Sequence, residues 1–402
     1  MNNLKILYIE GCDYKEFPVG GQLTFARQML KVFSDELSLV GFVTEEFPIG
    51  TWQKKIVDGK EYDFFALFNA KKMAKMPLLP RRLRVLFALK KYKKQILKMP
   101  ADLVFTRSPE VVIPVSKWGY IDFCYYFAGT RNPLSISRRW YGKLLAGLFD
   151  LVFFPSLKRI SLILAAADEF NIKDTIRRSK GILKEGDIKF FPTRVNTNVF
   201  KKIPLEICRE KRKIDKSKIV IVTSGRLHWI KGWKLLLDAF QIFLKRYPES
   251  IFYFIGDGNA RESIEEYISE NKLNDKVILL GFVSLNIIAE FINASNLFVM
   301  GSYTEGWATS LVEAIACGIP VCTTNFSSAK NLIKQGINGF VIDNRNPILF
   351  AKKMIDALNI KINIKYVQEE VKKYSIDTLK EDLLKMIDEQ KKYNSTLTHL
   401  RY

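Results

Sequence analysis

Short apolar runs alternating with amphipathic helical stretches predict an α/β protein built on parallel sheets. The alternation fills residues 1–198, stops in a polar and basic stretch at 199–216, and restarts at 217–374, so two βα units are expected in series. The 402 residues have room for two or three domains.

The elements follow in order. LKILYI reads as a buried first strand, and Thr24 to Ser34 as a helix after the pair Gly20-Gly21. SLVGFV is the next strand. A helix is expected from Arg81 to Lys98, where Val85, Leu89, Tyr92 and Ile96 recur at helical spacing. DLVFTRS and ISLILAA are further strands. IKFFPTRVNTNVF then leads into KKIPLEICREKRKIDKSK, which has no strand pattern and reads as a linker. Beyond it KIVIVTSG, IFYFIGDG, VILLGFV, NLFVMGS and IPVCTT are strands. Helices are expected at WKLLLDAFQIFLKRY, at ARESIEEYISEN, at Ile287 to Ile292 and at Ser310 to Ala316. In the last segment, 375–402, Thr378 to Lys391 forms a closing helix and Tyr393 to Tyr402 a frayed tail.

Composition narrows the class. Hydrophobic residues at 48% and charged residues at 26% suit a soluble globular enzyme and exclude a disordered or collagenous chain. The five cysteines are odd in number and form no C-x-x-C pair, so no disulfide framework is expected and a reducing cytoplasm fits. Two histidines, His228 and His399, make the chain poor in zinc ligands. The most apolar region, Leu144 to Ala167, is broken by Asp150, Pro155, Lys158 and Arg159, so no membrane span is expected. The start MNNLKILYIEG lacks a signal-peptide build.

The formal net charge is +21. Lys71 to Lys98 carries eleven basic residues and no acidic one. Such a block suits an anionic partner (phosphate ligand, nucleic acid or anionic lipid), and equally a solvated helix face. No zinc finger, recognition helix or aromatic RNA-binding motif supports nucleic acid.

Three local features of the second half converge on phosphate binding. SGRLHWIKG follows a strand directly, and ligands of α/β sheets sit at the carboxyl ends of strands. Arg226 and Lys231 on that loop suit a diphosphate, one as a planar fork and one as a point charge, with Gly225 and Gly232 letting backbone approach. An exposed basic turn would look the same. In YTEGWATSLVEAIACGIPV a strand ends at Ser302, a loop carries Glu305 and Gly306, and a helix begins near Thr309. Free N–H groups of Ala308, Thr309 and Ser310 would make an anion site there. Glu313 can accept two hydroxyls, as a ribose offers, or can simply complement the helix dipole. The third feature, Gly256 and Gly258 in FIGDG, is a weak signal shared by ordinary turns. His228, beside Trp229 and Trp233, reads as a partly packed loop residue.

Together these residues resemble the family 4 retaining glycosyltransferases, the glycosyl transferases group 1, of capsule and lipopolysaccharide type. The family's GRLxxxKG element is present as Gly225, Arg226, Leu227, Lys231 and Gly232. Its E-x7-E pair is present as Glu305 and Glu313, followed by EAIACGIPV. The GDG turn, the GFV element at Gly281, Phe282 and Val283, and NGFVI follow in order. The resemblance covers Ile219 to Leu358 and extends more loosely to Gly20-Gly21.

The resemblance implies the GT-B fold: two Rossmann-like parallel-sheet domains facing a cleft, acceptor side first and donor side second, with a C-terminal closing helix. It implies a nucleotide-diphosphate sugar held mainly by the second domain. Arg226 and Lys231 would neutralise the leaving diphosphate, and Glu305 would meet sugar hydroxyls. Glu313 would hold the ribose and the Phe282-Val283 backbone the base. Gly256, Gly306, Trp307, Ala308, Thr309 and Ser310 would complete the donor set. Gly20 and Gly21 would let the first domain's loop close over the donor. No metal or other cofactor is expected, because the cations and helix N–H groups replace it.

Some positions depart from the family pattern. No histidine precedes His228, and Ala128 in CYYFAGTRNP stands where the family has one. PTRVN, Pro192 to Asn196, replaces the usual PNGVD, and the later donor-side glutamate is replaced near Asn331.

The expected function is retaining transfer from a nucleotide-diphosphate sugar to a lipid-linked saccharide in cell-surface polysaccharide biosynthesis. The expected place is the cytoplasm, at the inner face of the cell membrane, with Lys71 to Lys98 meeting the anionic surface. The missing histidine leaves a second reading open: a catalytically weakened GT-B protein that binds nucleotide sugar or docks to a partner enzyme. A sugar-nucleotide epimerase of this fold would lack glutamates paired at this spacing.

Overall fold

The computed structural model describes residues 4–17, 21–70, 80–119, 122–127, 132, 134, 140–166, 169–326 and 328–399. The chain divides into two units, one made of residues 1–192 with 379–402 and the other of residues 193–378.

The first unit begins with β1 (Ile6–Ile9), α1 (Gly21–Phe33), β2 (Leu37–Val43), β3 (Trp52–Val57) and β4 (Lys60–Asn69). Next come α2 (Arg81–Lys91), α3 (Lys93–Ile96), β5 (Leu103–Thr106), α4 (Pro109–Val115) and β6 (Asp122–Phe127). It continues with α5 (Trp140–Leu157), β7 (Leu162–Ala165), α6 (Glu169–Arg178) and β8 (Ile188–Phe190). The strand order is β3-β4-β2-β1-β5-β6-β7-β8, and only the β3–β4 pair is antiparallel among the described residues.

Parallel strands need cover on both faces, and β1, β5, β6 and β7 are buried at every position. Residues alternate between the faces. Leu7, Ile9, Val104 and Tyr125 join Val85 and Leu89 of α2, Val112 of α4 and Phe153 of α5 in one core. On the other face Phe25 of α1 stacks on Phe105, ring centroids 6.0 Å apart, and meets Tyr126 at 5.0 Å.

A hairpin and a broken helix are among the features of this unit that differ from the sequence expectation. No strand is expected at 52–69, yet β3 and β4 form a hairpin whose turn, Asp58-Gly59, has φ of 47° and 82°. Asp-Gly is the pairing such a turn selects. The helix expected over 81–98 breaks at Tyr92, giving α2 and then a single turn. Its arginines are engaged in the fold. Arg81 lies over Phe17 at 5.0 Å and Arg84 over Phe68 at 4.1 Å, while Arg82 Nε is 3.8 Å from Glu110. Residues 71–79 of the basic block lie outside the described residues.

The second unit holds α7 (Leu205–Arg212), β9 (Val220–Ser224), α8 (Trp233–Leu244), β10 (Ile251–Ile255), α9 (Arg261–Glu270) and β11 (Val277–Gly281). Then come α10 (Leu285–Ala294), β12 (Leu297–Met300), α11 (Thr309–Ala316) and β13 (Val321–Thr324). It closes with α12 (Ala329–Leu332), β14 (Gly339–Ile342), α13 (Pro347–Leu358) and α14 (Ile364–Lys372). Its sheet, in the order β11-β10-β9-β12-β13-β14, is parallel throughout the described residues.

The expected linker at 199–216 is corrected here, because it contains α7, which packs on α10. Arg209 is the cause. Its buried guanidinium donates to the Ala294 carbonyl at 3.0 Å, the Lys216 carbonyl at 2.8 Å and Asn296 Oδ1 at 2.7 Å. Lys211 and Arg212 pair with Glu290 of α10. Charge that reads as solvated in sequence is thus satisfied inward.

The last helix, α15 (Leu379–His399), groups with the first unit, where Lys380 bonds Glu36 and Lys391 Nζ lies 2.9 Å from Asp122. The frayed tail expected from Tyr393 is instead helical as far as His399. No helix among the described residues is long and apolar enough to cross a membrane.

Candidate functional site

In the second sheet the order turns back between β9 and β12, with β10 on one side of β9 and β12 on the other. Such a switch point leaves a crevice at the carboxyl ends of the strands. It is lined by Thr223 to His228 and Lys231 after β9 and by Met300 to Ser302 after β12.

Backbone hydrogen bonds join three strand ends into one platform. Gly225 N–H donates to the Ile255 carbonyl at 2.9 Å, Leu227 N–H to Asp257 at 3.0 Å, and Gly256 N–H to Gly281 at 2.9 Å. The loops carrying Arg226, Gly256 and Phe282 are therefore fixed to one another. A Cβ on Gly258 would lie 2.2 Å from the Leu227 carbonyl oxygen, so the weak glycine signal marks close backbone packing.

The loop after β12 docks on the loop after β9. Tyr303 N–H donates to the Ile230 carbonyl at 2.8 Å. Arg345 donates to the carbonyls of Gly301 at 2.7 Å and Ser302 at 3.1 Å, and its guanidinium lies 3.6 Å from the Tyr303 ring centroid. Gly232 has φ of 64°, and a Cβ there would stand 1.8 Å from the Gly301 oxygen. Gly232→Ala is expected to lower the free energy of unfolding by at least about 2 kcal/mol, as a forced clash at a left-handed position does. Urea unfolding measures this, and a variant as stable as the wild type would contradict the contact.

Within this frame Lys231 Nζ lies 2.6 Å from Glu305 Oε1, which also accepts the Ser302 hydroxyl at 2.5 Å. Lys231 and Glu305 thus come into direct contact. Arg226 is exposed on the same crevice and has no ion-pair partner among the described residues. A diphosphate arriving here would meet one open cation and one that it must share with a carboxylate.

Glu313 stands in the second turn of α11, past the first turn where the helix dipole acts most strongly. The residue keeps some surface exposure, yet its carboxyl is enclosed closely enough that burial raises it to about 7. Its position past the first turn weakens the dipole reading for Glu313.

The expected anion site at the start of α11 needs correction. Ala308 N–H is given to Ser328 Oγ at 3.2 Å and Thr309 N–H to the Trp307 carbonyl at 3.0 Å, so two of its three N–H groups are spent inside the protein. Ser310 Oγ donates to Met300 Sδ at 3.6 Å. Trp307 and Ala308 are buried, and the Trp307 ring packs 5.2 Å from Tyr374, so those side chains serve the core.

The remaining candidates are placed as follows. Phe282 is 75% exposed, Val283 is half-buried, and Gly306 is partly buried. Gly21 opens α1, whereas Gly20 and Ala128 lie outside the described residues. His228 Nδ1 accepts the Ile230 N–H at 3.2 Å, capping the turn that carries Lys231. Asn331 is exposed on α12.

Sequence reasoning misses Arg345, Ser302 and Tyr303, which shape the loop around Glu305. It also misses a buried cluster at the carboxyl ends of β1 and β5. Glu10 there accepts the Arg107 N–H at 2.6 Å, and Ser108 Oγ and Gln22 Nε2 at 2.7 Å each. Burial holds its carboxyl above the usual range despite these donors. The five cysteines are buried and unpaired. Among the described residues no group of three or more His, Cys, Asp or Glu is placed to hold a metal ion.

This crevice, with its cation loop and paired glutamates, lies within a segment known from other proteins. Residues 206–376 match the family Glycosyl transferases group 1. A curated relative described as an uncharacterised glycosyltransferase, from Haemophilus influenzae, is 27% identical over 36% of this chain and 39% of its own length. The alpha-monoglucosyldiacylglycerol synthase of Acholeplasma laidlawii is 26% identical over 50% of this chain and 54% of its own. The chain thus spans about half or less of the length of these relatives. Anabaena HepE, solved in complex with UDP, superposes with a TM-score of 0.70 at 17% identity, covering 96% of this chain and 100% of that one. That likeness shows the fold, two Rossmann-like parallel-sheet domains of the GT-B class.

Proposed function

We propose that the protein is a glycosyltransferase that moves a sugar from a nucleotide-diphosphate sugar to a saccharide acceptor. The observation that carries this is the Lys231–Glu305 pair beside exposed Arg226 at the switch point of the second sheet. As the bond from sugar to diphosphate breaks, negative charge grows on the leaving phosphate oxygens. Lys231, held by Glu305, and Arg226, exposed on the same crevice, would meet that charge as it develops. A diphosphate that takes up Lys231 frees Glu305 to accept sugar hydroxyls. Ionised Glu313 accepts the two ribose hydroxyls, and Phe282 with Val283 offers a surface to the base.

Retention of anomeric configuration belongs to the proposal and is supported by the likeness of the glutamate pair to the family motif. A lipid-borne acceptor is supported by the match to the alpha-monoglucosyldiacylglycerol synthase, and a place in cell-surface polysaccharide biosynthesis by the likeness of the motifs to the capsule and lipopolysaccharide type. Unpaired cysteines support a reducing, cytoplasmic setting, and the basic run Lys71 to Lys98 supports a peripheral place at the inner face of the membrane.

Release of nucleoside diphosphate from UDP-, GDP- and ADP-sugars without acceptor tests the function. Turnover of one of them is expected. Tight binding without turnover would favour the catalytically weakened reading, and neither binding nor turnover would overturn both. Neutralisation of the diphosphate by side-chain cations also makes metal independence the expected outcome. A chelator such as EDTA should leave turnover unchanged, and loss restored by magnesium would contradict it.

A further inference from the structure

We infer that the outer face of α5, with the basic residues around it, is a docking surface for an anionic lipid bilayer. Its inner side is ordinary. Phe153 packs 5.8 Å from the Tyr125 ring and 6.2 Å from the Phe127 ring, and Leu157 is fully buried. The outward positions of a helix covering a sheet normally carry polar residues. Here they carry Leu144, Leu145, Leu148, Leu151 and Val152, each between 44% and 74% exposed. The spacing i, i+1, i+4, i+7, i+8 aligns all five in one stripe along the helix. Exposed apolar residues are ordinary singly, but a continuous stripe marks an interaction surface. A helix apolar on its outer face, with basic flanks, suits the plane of a membrane interface.

Charge selects the occupant. The stripe ends at exposed Lys158 and Arg159. Lys143 stands on the same helix, one position before the stripe. Asp150 is turned to Arg178 and Asn132 at 2.9 Å each. On α2, which covers the same face of the sheet, Leu83 and Phe87 are exposed. Lys90, Lys91, Lys94 and Lys98 follow them, exposed and without an ion pair among the described residues. An aliphatic stripe with cations at both its ends complements anionic headgroups over acyl chains. A second copy docking on the same face would set like charges against each other. This surface lies in the first unit alone and stands without the donor site, although it would bring a lipid-linked acceptor close.

Co-sedimentation of the full-length protein with phosphatidylcholine vesicles, with and without about 30% phosphatidylglycerol, tests the inference. Binding is expected to need the anionic lipid. It should fall at least about tenfold in Leu148→Glu/Leu151→Glu, because the apolar contribution is removed. It should also weaken between about 0.1 M and 0.5 M salt as the Debye length shortens. Circular dichroism and acceptor-free turnover of nucleotide sugar should not change in that variant. Leu148→Gln/Leu151→Gln, which adds no charge, serves if the first variant misfolds. No vesicle binding by the wild type, or full binding by the folded variant, would overturn the inference. A dimer that the same substitutions dissolve, with no vesicle binding, would assign the stripe to self-association and also overturn it. Vesicle binding without any turnover would leave the docking surface standing and overturn the transferase reading.

Discussion

Lys231→Ala is expected to slow release of nucleoside diphosphate from the donor sugar by about 10²-fold or more, the usual cost of losing one preorganised charge at a developing anion. The loss should exceed that of a simple neutralisation. Glu305 lies 2.6 Å from Lys231 and is largely enclosed, so the variant leaves an unpaired carboxylate facing the diphosphate. The double variant Lys231→Ala/Glu305→Ala removes that repulsion. It should therefore bind nucleoside diphosphate better than Lys231→Ala alone while remaining slow in turnover, and a double-mutant cycle isolates the coupling. Steady-state kinetics, with circular dichroism to confirm folding, measure both. A folded Lys231→Ala protein turning over at the wild-type rate would place the donor elsewhere.

Glu313 carries the second large effect, and it depends on pH. The ordinary glutamate value is 4.5, and burial raises this carboxyl to about 7. Only the ionised form can accept both ribose hydroxyls. Affinity for a nucleoside diphosphate should therefore rise from about pH 6 to pH 8, beyond any trend due to the nucleotide's own phosphate. Glu313→Gln should lose at least about tenfold in affinity at pH 8, on the scale of a charged hydrogen bond, and should lose that part of the pH dependence. A 2′-deoxynucleotide should bind the wild type more weakly and Glu313→Gln with little further loss.

Stability runs the other way. The folded protein holds the Glu313 proton over a range where the unfolded chain has released it. Unfolding free energy therefore falls as pH climbs from 4.5 towards about 7. Glu313→Gln removes that decline, so its thermal midpoint at pH 8 should lie above that of the wild type. Equal midpoints and unchanged ribonucleotide affinity would strip Glu313 of the role.

The loops that carry Arg226, Lys231 and Glu305 are legible in sequence as loops, because each follows a strand that is itself a continuous apolar run. Position at a strand's carboxyl end then does the rest. Arg345 is not legible, because its role lies in two carbonyls, Gly301 and Ser302, that folding brings to it. Nor could the use of Ala308 N–H be read, since its acceptor Ser328 comes from another loop.

The first unit is harder. α5 has apolar residues on both faces, so it lacks the period that marks a helix, and Asp150 and Pro155 look like breaks. α7 hides for the opposite reason. Its basic run reads as solvated, although Arg209 is buried among carbonyls. In both cases tertiary packing, which local pattern does not record, decides the outcome.

The most direct test of the donor site is calorimetric titration of UDP, GDP and ADP into the wild type and into Arg226→Ala/Lys231→Ala. One nucleoside diphosphate is expected to bind the wild type and to bind the double variant at least about a hundredfold more weakly, as the loss of two charged contacts to one diphosphate requires. Undiminished binding by a folded double variant would contradict a diphosphate site at this crevice.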